Sequence, residues 1–343
     1  MPSHPETTPL PAGWTRATSA AADVPALHDL LRRHETAGRG GTGASLEAVE
    51  ADVVGPGAAS RRHLVLCDAD GALRAWGTVH DRAAGRSVAA VVVDPDLPAP
   101  DADAAAHVLL GWVGQVSREV GAERGLPVTQ VDSGAFAQDE RQQRWLAEAG
   151  LERVRTWWQM SRPVDPAEAE QGALPAPGEG VVVRRVARDE ADGLPVQRDL
   201  AAIHGVLEAA FTDHFNYYEE TFEEFCSRLR EDPGHRWDHW WIAELVDDGH
   251  PRPAGALVGA VSPGDPPSSY VEYLGVLRTA RGRGVATSLL HAVMADAAQR
   301  GRPAVGIEVD ADSPTGAAGL YLSMGFATAY ETQSWHRDLP VGE

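Results

Sequence analysis

The sequence predicts an α/β protein made of two tandem domains, each a mixed central sheet flanked by helices. Three observations predict it. The chain has 343 residues, more than one hydrophobic core comfortably organises, and units of about 150 residues are the expected size. In each half, a segment of helical character precedes a pair of strand-like runs: 24–33 before 63–67 and 74–80, then 203–211 before 240–246 and 255–261. The two halves also end alike. Trp145, Leu146, Gly150 and Leu151 lead into an extended run closing near Arg162 and Pro163, while Leu320, Tyr321, Gly325 and Phe326 lead into one closing at Arg337. Gly150 and Gly325 lie 175 residues apart, a duplication on the domain scale and not a solenoid period. Residues 165–180 are rich in proline, glycine, alanine and acid, with little to bury, so they read as a linker. The expected division is an N-terminal domain at 1–164, a linker at 165–180 and a C-terminal domain at 181–343.

Composition narrows the functional classes. The hydrophobic fraction of 43% can fill two cores. No run approaches the roughly 20 apolar residues that span a bilayer, and residues 1–13 lack a basic-then-apolar signal pattern, so a soluble cytoplasmic protein is expected. The net charge of −20 opposes binding to nucleic acid or an anionic membrane. Cys67 and Cys226 are far apart and lack metal-ligand spacing, so neither a disulfide framework nor a metal site is expected.

The most telling stretch is Arg281, Gly282, Arg283, Gly284, Val285 and Ala286, between an apolar run at 271–277 and a helical pattern at 287–300. It reads as strand, glycine turn and helix start. Glycines let the backbone curl tightly, and successive N–H groups at a helix N-terminus converge on an anion, with a pyrophosphate the best guest. A Walker loop is excluded because no Gly-Lys-Ser/Thr follows, and a dinucleotide fold because the third glycine is absent. A solvated basic turn is the alternative.

Some twenty residues after the turn comes a second strand-like run at 304–310, followed by a turn and the segment 317–326. Together these motifs resemble the GCN5-related N-acetyltransferase (GNAT) superfamily. Its Arg/Gln-x-x-Gly-x-Gly/Ala pattern is met by Arg281, Gly284 and Ala286, and its Leu-Tyr-x-x-x-Gly-Phe signature by Leu320, Tyr321, Gly325 and Phe326. The tandem layout is similar to that of the mycothiol synthases. The resemblance implies two acetyltransferase-type domains, acetyl-coenzyme A as cosubstrate, and a strand, with Leu274, Gly275 and Val276, that pairs with the pantetheine. Gly275 fits a bulge freeing an N–H for the thioester oxygen. The resemblance implies Tyr321 as general acid for the leaving thiolate; packing in the core is its alternative role. Ser313 stands where many relatives carry an asparagine that touches pantetheine, but Asp312, Ser313 and Pro314 also read as a helix cap.

Glu272, on the strand entering the turn, is a candidate general base if burial raises its pKa. Relatives often have a carboxylate two residues earlier, where this chain has Tyr270; Glu308 on the next strand is a rival. In the first half, the position of the Arg/Gly turn holds Asp94, Asp96, Asp101 and Asp103 among prolines, and the position of Tyr321 holds Leu146. Acids repel a pyrophosphate and proline donates no N–H, so the N-terminal domain is expected to be degenerate.

The acceptor is expected to meet the aromatic and acidic segment from Phe211 to Trp241, with Asp213, His214, Tyr217 and Tyr218 as substrate-binding candidates beside Glu219 and Glu220. Such a surface suits a cationic amine by charge pairing and cation–π contact; a buried aromatic cluster is the competing reading. The function expected is acetyl transfer to a primary amine of a small molecule by direct attack in a ternary complex, since no activated cysteine is evident. Mycothiol-synthase-like acetylation, or a non-catalytic acyl-coenzyme A-binding scaffold, are the alternatives. A degenerate half that forms a homodimer surface is compatible with any of these.

Overall fold

A computed structural model describes residues 9–82, 86–191, 193–212, 219–247, 249–264, 266–312 and 316–342. Asp213, His214, Tyr217, Tyr218 and Ser313 lie outside the described residues. The first half contains β1 (Thr15–Ala17), α1 (Val24–Arg39), α2 (Leu46–Val53), β2 (Arg61–Cys67), β3 (Leu73–Asp81), β4 (Arg86–Val93), α3 (Ala99–Glu123), β5 (Val128–Phe136), α4 (Glu140–Glu148) and β6 (Glu152–Pro163). The second contains β7 (Val181–Arg185), α5 (Gln197–Phe211), α6 (Phe222–Glu231), β8 (His235–Asp247), β9 (His250–Ser262), β10 (Ser268–Val276), α7 (Val285–Gln299), β11 (Ala304–Asp310), α8 (Ala317–Ser323) and β12 (Ala327–Pro340). The α/β class and the tandem repeat of elements are as the sequence predicts.

The twelve strands of the described residues form one sheet, ordered β1-β2-β3-β4-β5-β12-β6-β11-β10-β9-β8-β7. The centre of this order is an exchange. β6, from the first half, pairs antiparallel with β11 of the second, and β12, from the second half, pairs antiparallel with β5 of the first. β6 and β12 also pair with each other. Each half therefore receives its last strand from the other. Side chains tie the seam: Trp157 Nε1 donates to Ser334 Oγ at 2.7 Å, and Gln159 donates to Glu308.

Helices cover both faces, which explains why strands such as β9 are buried almost continuously from Ala254 to Ala260 rather than alternating. In the second half α7 packs with Val271, Val305 and Ile307 on one face, while α5 and α6 pack with Trp240, Ile242 and Val258 on the other. α3 plays the part of α7 in the first half. The stretch read as a linker is ordered where it begins. A short 3-10 turn, Pro166–Ala169, buries Glu168, which takes both terminal nitrogens of Arg162.

Gly275 serves packing, not the bulge expected of it. It pairs regularly with Ala256, and a Cβ there would come within 2.9 Å of Leu207 Cδ2 and 3.1 Å of Ala210 Cβ on α5. Gly275→Val should destabilise the protein by about 1–3 kcal/mol through overpacking. Chemical denaturation checks it, and an unchanged midpoint would show that α5 can yield.

Candidate active site

The strand geometry opens the site. β10 runs parallel to β11 only over Ser269, Tyr270 and Val271, opposite Val305, Gly306 and Ile307. Beyond that point the strands part, although β10 continues to pair with β9 up to Val276. Between them lies a cleft of about 650 Å³. One wall is the backbone of 272–276, whose edge toward β11 has no strand partner there, and the other is Ile307, Glu308, Val309 and Asp310. Leu274, Gly275 and Val276 line it as the sequence places them.

The cleft ends at the glycine turn. A 3-10 turn, Arg278–Ala280, brings the chain round to Arg281; Gly282 and Gly284 then adopt φ of 78° and 76°, the left-handed region glycine enters without a Cβ clash. Gly284 caps α7 and offers no side chain to its first amides, so those N–H groups remain available at the positive end of the helix dipole. Arg281, Gly282, Gly284, Val285 and Ala286 line the cleft. Arg283 does not. It turns outward to Asp247, with contacts of 3.2 and 3.1 Å, because the left-handed glycines on either side send the two arginines in different directions.

Tyr321, on α8, is 6% exposed and lines the same cleft, its ring centroid 5.9 Å from that of Phe326. Burial pushes its phenol up to about 12, so it holds its proton throughout the physiological range. It packs in the core and faces the cleft at once, so the two roles weighed for it are compatible.

The bulge in β10 falls at Glu272: Val271 pairs with Gly259 and Tyr273 with Val258, leaving Glu272 as the extra residue. A bulge re-aims the side chain it carries. Burial, with the neighbouring Asp232 second, raises the Glu272 carboxyl to about 8. Glu308, the rival, is opposite and accepts a hydrogen bond from Gln159 of β6; burial raises its pKa too. Tyr270 packs over Gly306. Tyr270 also lines a second groove of about 570 Å³, formed with Glu35 and Arg39 of α1, Ser161 of β6, Ser268 of β10 and Tyr330 of β12. Sequence reasoning missed this groove because its walls come from both halves.

The aromatic segment is corrected in part. Trp240 and Trp241 are buried in β8, and the rings of His235, Trp237, Trp240 and Phe225 of α6 meet edge-on or tilted. Glu220 is buried and held by Arg228, while Glu219 is exposed. Strand β8 needs apolar residues on both faces, and that need consumed these aromatics. In the first half, Asp94 closes the equivalent strand end. It is fully buried, accepts from Arg74 at 2.9 Å and pairs with Arg33, while Leu146 is buried in the core. No metal-binding cluster occurs among the described residues, and no helix there is long and apolar enough to cross a membrane.

Residues 202–326, which contain this cleft, match the Acetyltransferase (GNAT) family. That segment, about a third of the chain, carries a GNAT-type acetyltransferase domain. The chain is 30% identical over 191 residues to the mycothiol acetyltransferase of Jonesia denitrificans, a match covering 54% of this chain and 55% of that protein. The likeness thus spans about half the length of that relative. A solved GCN5-related N-acetyltransferase from Sphaerobacter thermophilus covers 98% of both chains with a TM-score of 0.74 at 25% identity. A tandem GNAT protein from the clavulanic acid biosynthesis pathway covers 95% of this chain and 98% of its own, with a TM-score of 0.66 at 15% identity, a likeness of fold. The family match and the cleft thus fall on the same half of the chain.

Proposed function

We propose that the C-terminal half transfers an acetyl group from acetyl-coenzyme A to a primary amine of a small molecule, by direct attack in a ternary complex, and that the N-terminal half holds no cofactor. The observation that carries this reading is that one cleft joins a free strand edge, an uncapped helix N-terminus and the phenol of Tyr321. The acidic balance supports a reaction without a nucleic-acid or anionic-membrane partner.

Acetyl-coenzyme A supplies the thioester. The edge of β10 pairs with the pantetheine amides, and Arg281 with the first amides of α7 holds the pyrophosphate. Glu272 takes the amine proton, and Tyr321 protonates the departing sulfur. Fixing the reactants in this geometry supplies much of the rate. The acceptor enters from the polar groove and meets the thioester at Tyr270. Its hydroxyl-bearing walls, with Arg39 donating to Tyr330 Oη at 2.7 Å and to Glu35 at 2.8 Å, favour a hydroxylated amine. A second reading, mycothiol-synthase-like acetylation, draws support from the name of the Jonesia relative.

The test is thiol release from acetyl-coenzyme A across a panel of small amines, acceptors of the mycothiol series included. Amine-dependent release supports the reading. Its absence across the panel, with saturable cofactor binding, would favour a non-catalytic acyl-coenzyme A-binding protein.

A further inference from the structure

Helix α6 belongs to the second half but is moored to the first. Its last residue, Glu231, accepts from Arg61 of β2 at 2.7 Å and from Ser60, just before β2, at 3.2 Å, with His80 Nε2 of β3 at 3.6 Å. Arg61 is held in turn by Asp52 of α2 at 3.0 Å and donates to Gly57 O at 3.1 Å. The Arg61 and Glu231 side chains are only 15% and 18% exposed, so solvent screens this pair less than an open surface bridge. Burial, with Arg61 second, pushes His80 down to about 3. His80 is therefore neutral at physiological pH, and Arg61 supplies the positive charge at Glu231.

Six strands stand between β2 and β10 in the sheet, a span of roughly 30 Å if flat, against about 15 Å for the ten residues of α6. The contact therefore needs the sheet to curl, and the halves meet at α6 as well as along the exchanged strands. One turn before Glu231, Arg228 grips Glu220 with contacts of 2.8 and 2.7 Å and donates to Tyr273 Oη at 2.7 Å, its guanidinium 5.3 Å from the centre of that ring. Tyr273 follows the bulge at Glu272 and lines the cleft. Phe211 lines it too, its ring 6.2 Å from that of Tyr273. A route of direct contacts thus runs from β2 through α6 to the cleft wall beside Glu272.

We propose that Arg61 is a positioning residue: through Glu231 it fixes α6, and with it the wall of Arg228, Tyr273 and Phe211 on the acceptor side of the cleft. Its kinetic consequence rests on the acetyltransferase reading. The first half is then a brace for the second, beyond the strand it exchanges. Such a wall sets how closely an amine approaches the thioester, and a misplacement of about 1 Å at reacting groups is costly. The glycine turn leads into α7, which packs on the opposite face of the sheet from α6, so cofactor binding should not feel the change.

Arg61→Ala and Glu231→Gln test this in the full chain. The readouts are fluorine NMR of the 3-fluorotyrosine-labelled protein, Tyr273→Phe identifying the resonance, and steady-state kinetics with the fastest amine of the panel. In both variants the Tyr273 resonance should move and KM for the amine should rise by roughly threefold or more, the scale of coupling through intervening contacts, while KM for acetyl-coenzyme A stays put. Arg61→Lys, which keeps the charge, should recover part of the loss, and the double variant should be no worse than the more severe single one. Should Arg61→Ala fail to fold, Glu231→Gln, which keeps the shape of the side chain, carries the same readouts. A merely structural Arg61 would lower the unfolding midpoint and leave the resonance and the ratio of the two KM values unmoved. An unmoved Tyr273 resonance, or an amine KM unchanged beside an unchanged acetyl-coenzyme A KM, overturns the proposal. Failure of the acetyltransferase reading would appear separately, as absent turnover in the unaltered protein, and the Tyr273 resonance then decides the brace by itself.

Discussion

Tyr321→Phe should lower kcat for acetyl transfer by about 10²-fold or more, the scale of a positioned general acid, while KM for acetyl-coenzyme A changes little. The reason is geometric. The substitution removes one oxygen and keeps the ring that packs on Phe326, so binding and fold should survive. Since the phenol titrates only near 12, it is a donor across the working range, and its loss leaves the thiolate to be protonated by water. Steady-state kinetics of the purified variant are the check. A kcat within threefold or so of the parent would remove Tyr321 from the chemistry and leave it a core residue.

Cutting the chain at the linker should have a still larger effect: residues 181–343 alone should show no cooperative unfolding transition. In the intact protein β11 is completed by β6, from Ala304 opposite Pro163 to Asp310 opposite Trp157, and β12 is paired with β5 along its C-terminal part. Removing the first half strips strand partners from both and exposes long hydrogen-bonding edges, a route to aggregation. It also removes Trp157 and Gln159 from the cleft wall and from Glu308. Co-expression with residues 1–180 should restore a folded complex. Thermal unfolding followed by circular dichroism decides; a sharp transition from 181–343 as a monomer would show that the exchanged strand is dispensable.

Much of the fold was legible because its signals are local. The strand, glycine turn and helix around Arg281 to Ala286 are written in backbone chemistry, since two left-handed positions need glycine and an uncapped helix start needs no side chain. The repeated endings gave the tandem layout. What stayed hidden depends on partners. β6 and β12 each carry a pattern that suits any neighbour in the sheet, so periodicity could not reveal that they trade places. The bulge sits at Glu272 and not Gly275 because a bulge is set by register with β9, while Gly275 answers to Leu207 across the layer. Arg281 and Arg283 look equivalent in sequence; only the turn separates one facing the cleft from one bound to Asp247.

The proposed function depends on one coenzyme site per chain, built around Arg281 and the start of α7. Calorimetric titration of the intact protein with acetyl-coenzyme A tests it most directly, alongside Arg281→Glu and Arg283→Glu. One site per chain is expected, weakened about tenfold or more by Arg281→Glu, the scale of a lost charge-assisted contact, and little changed by Arg283→Glu. Two sites per chain, or one site indifferent to Arg281→Glu, would contradict it.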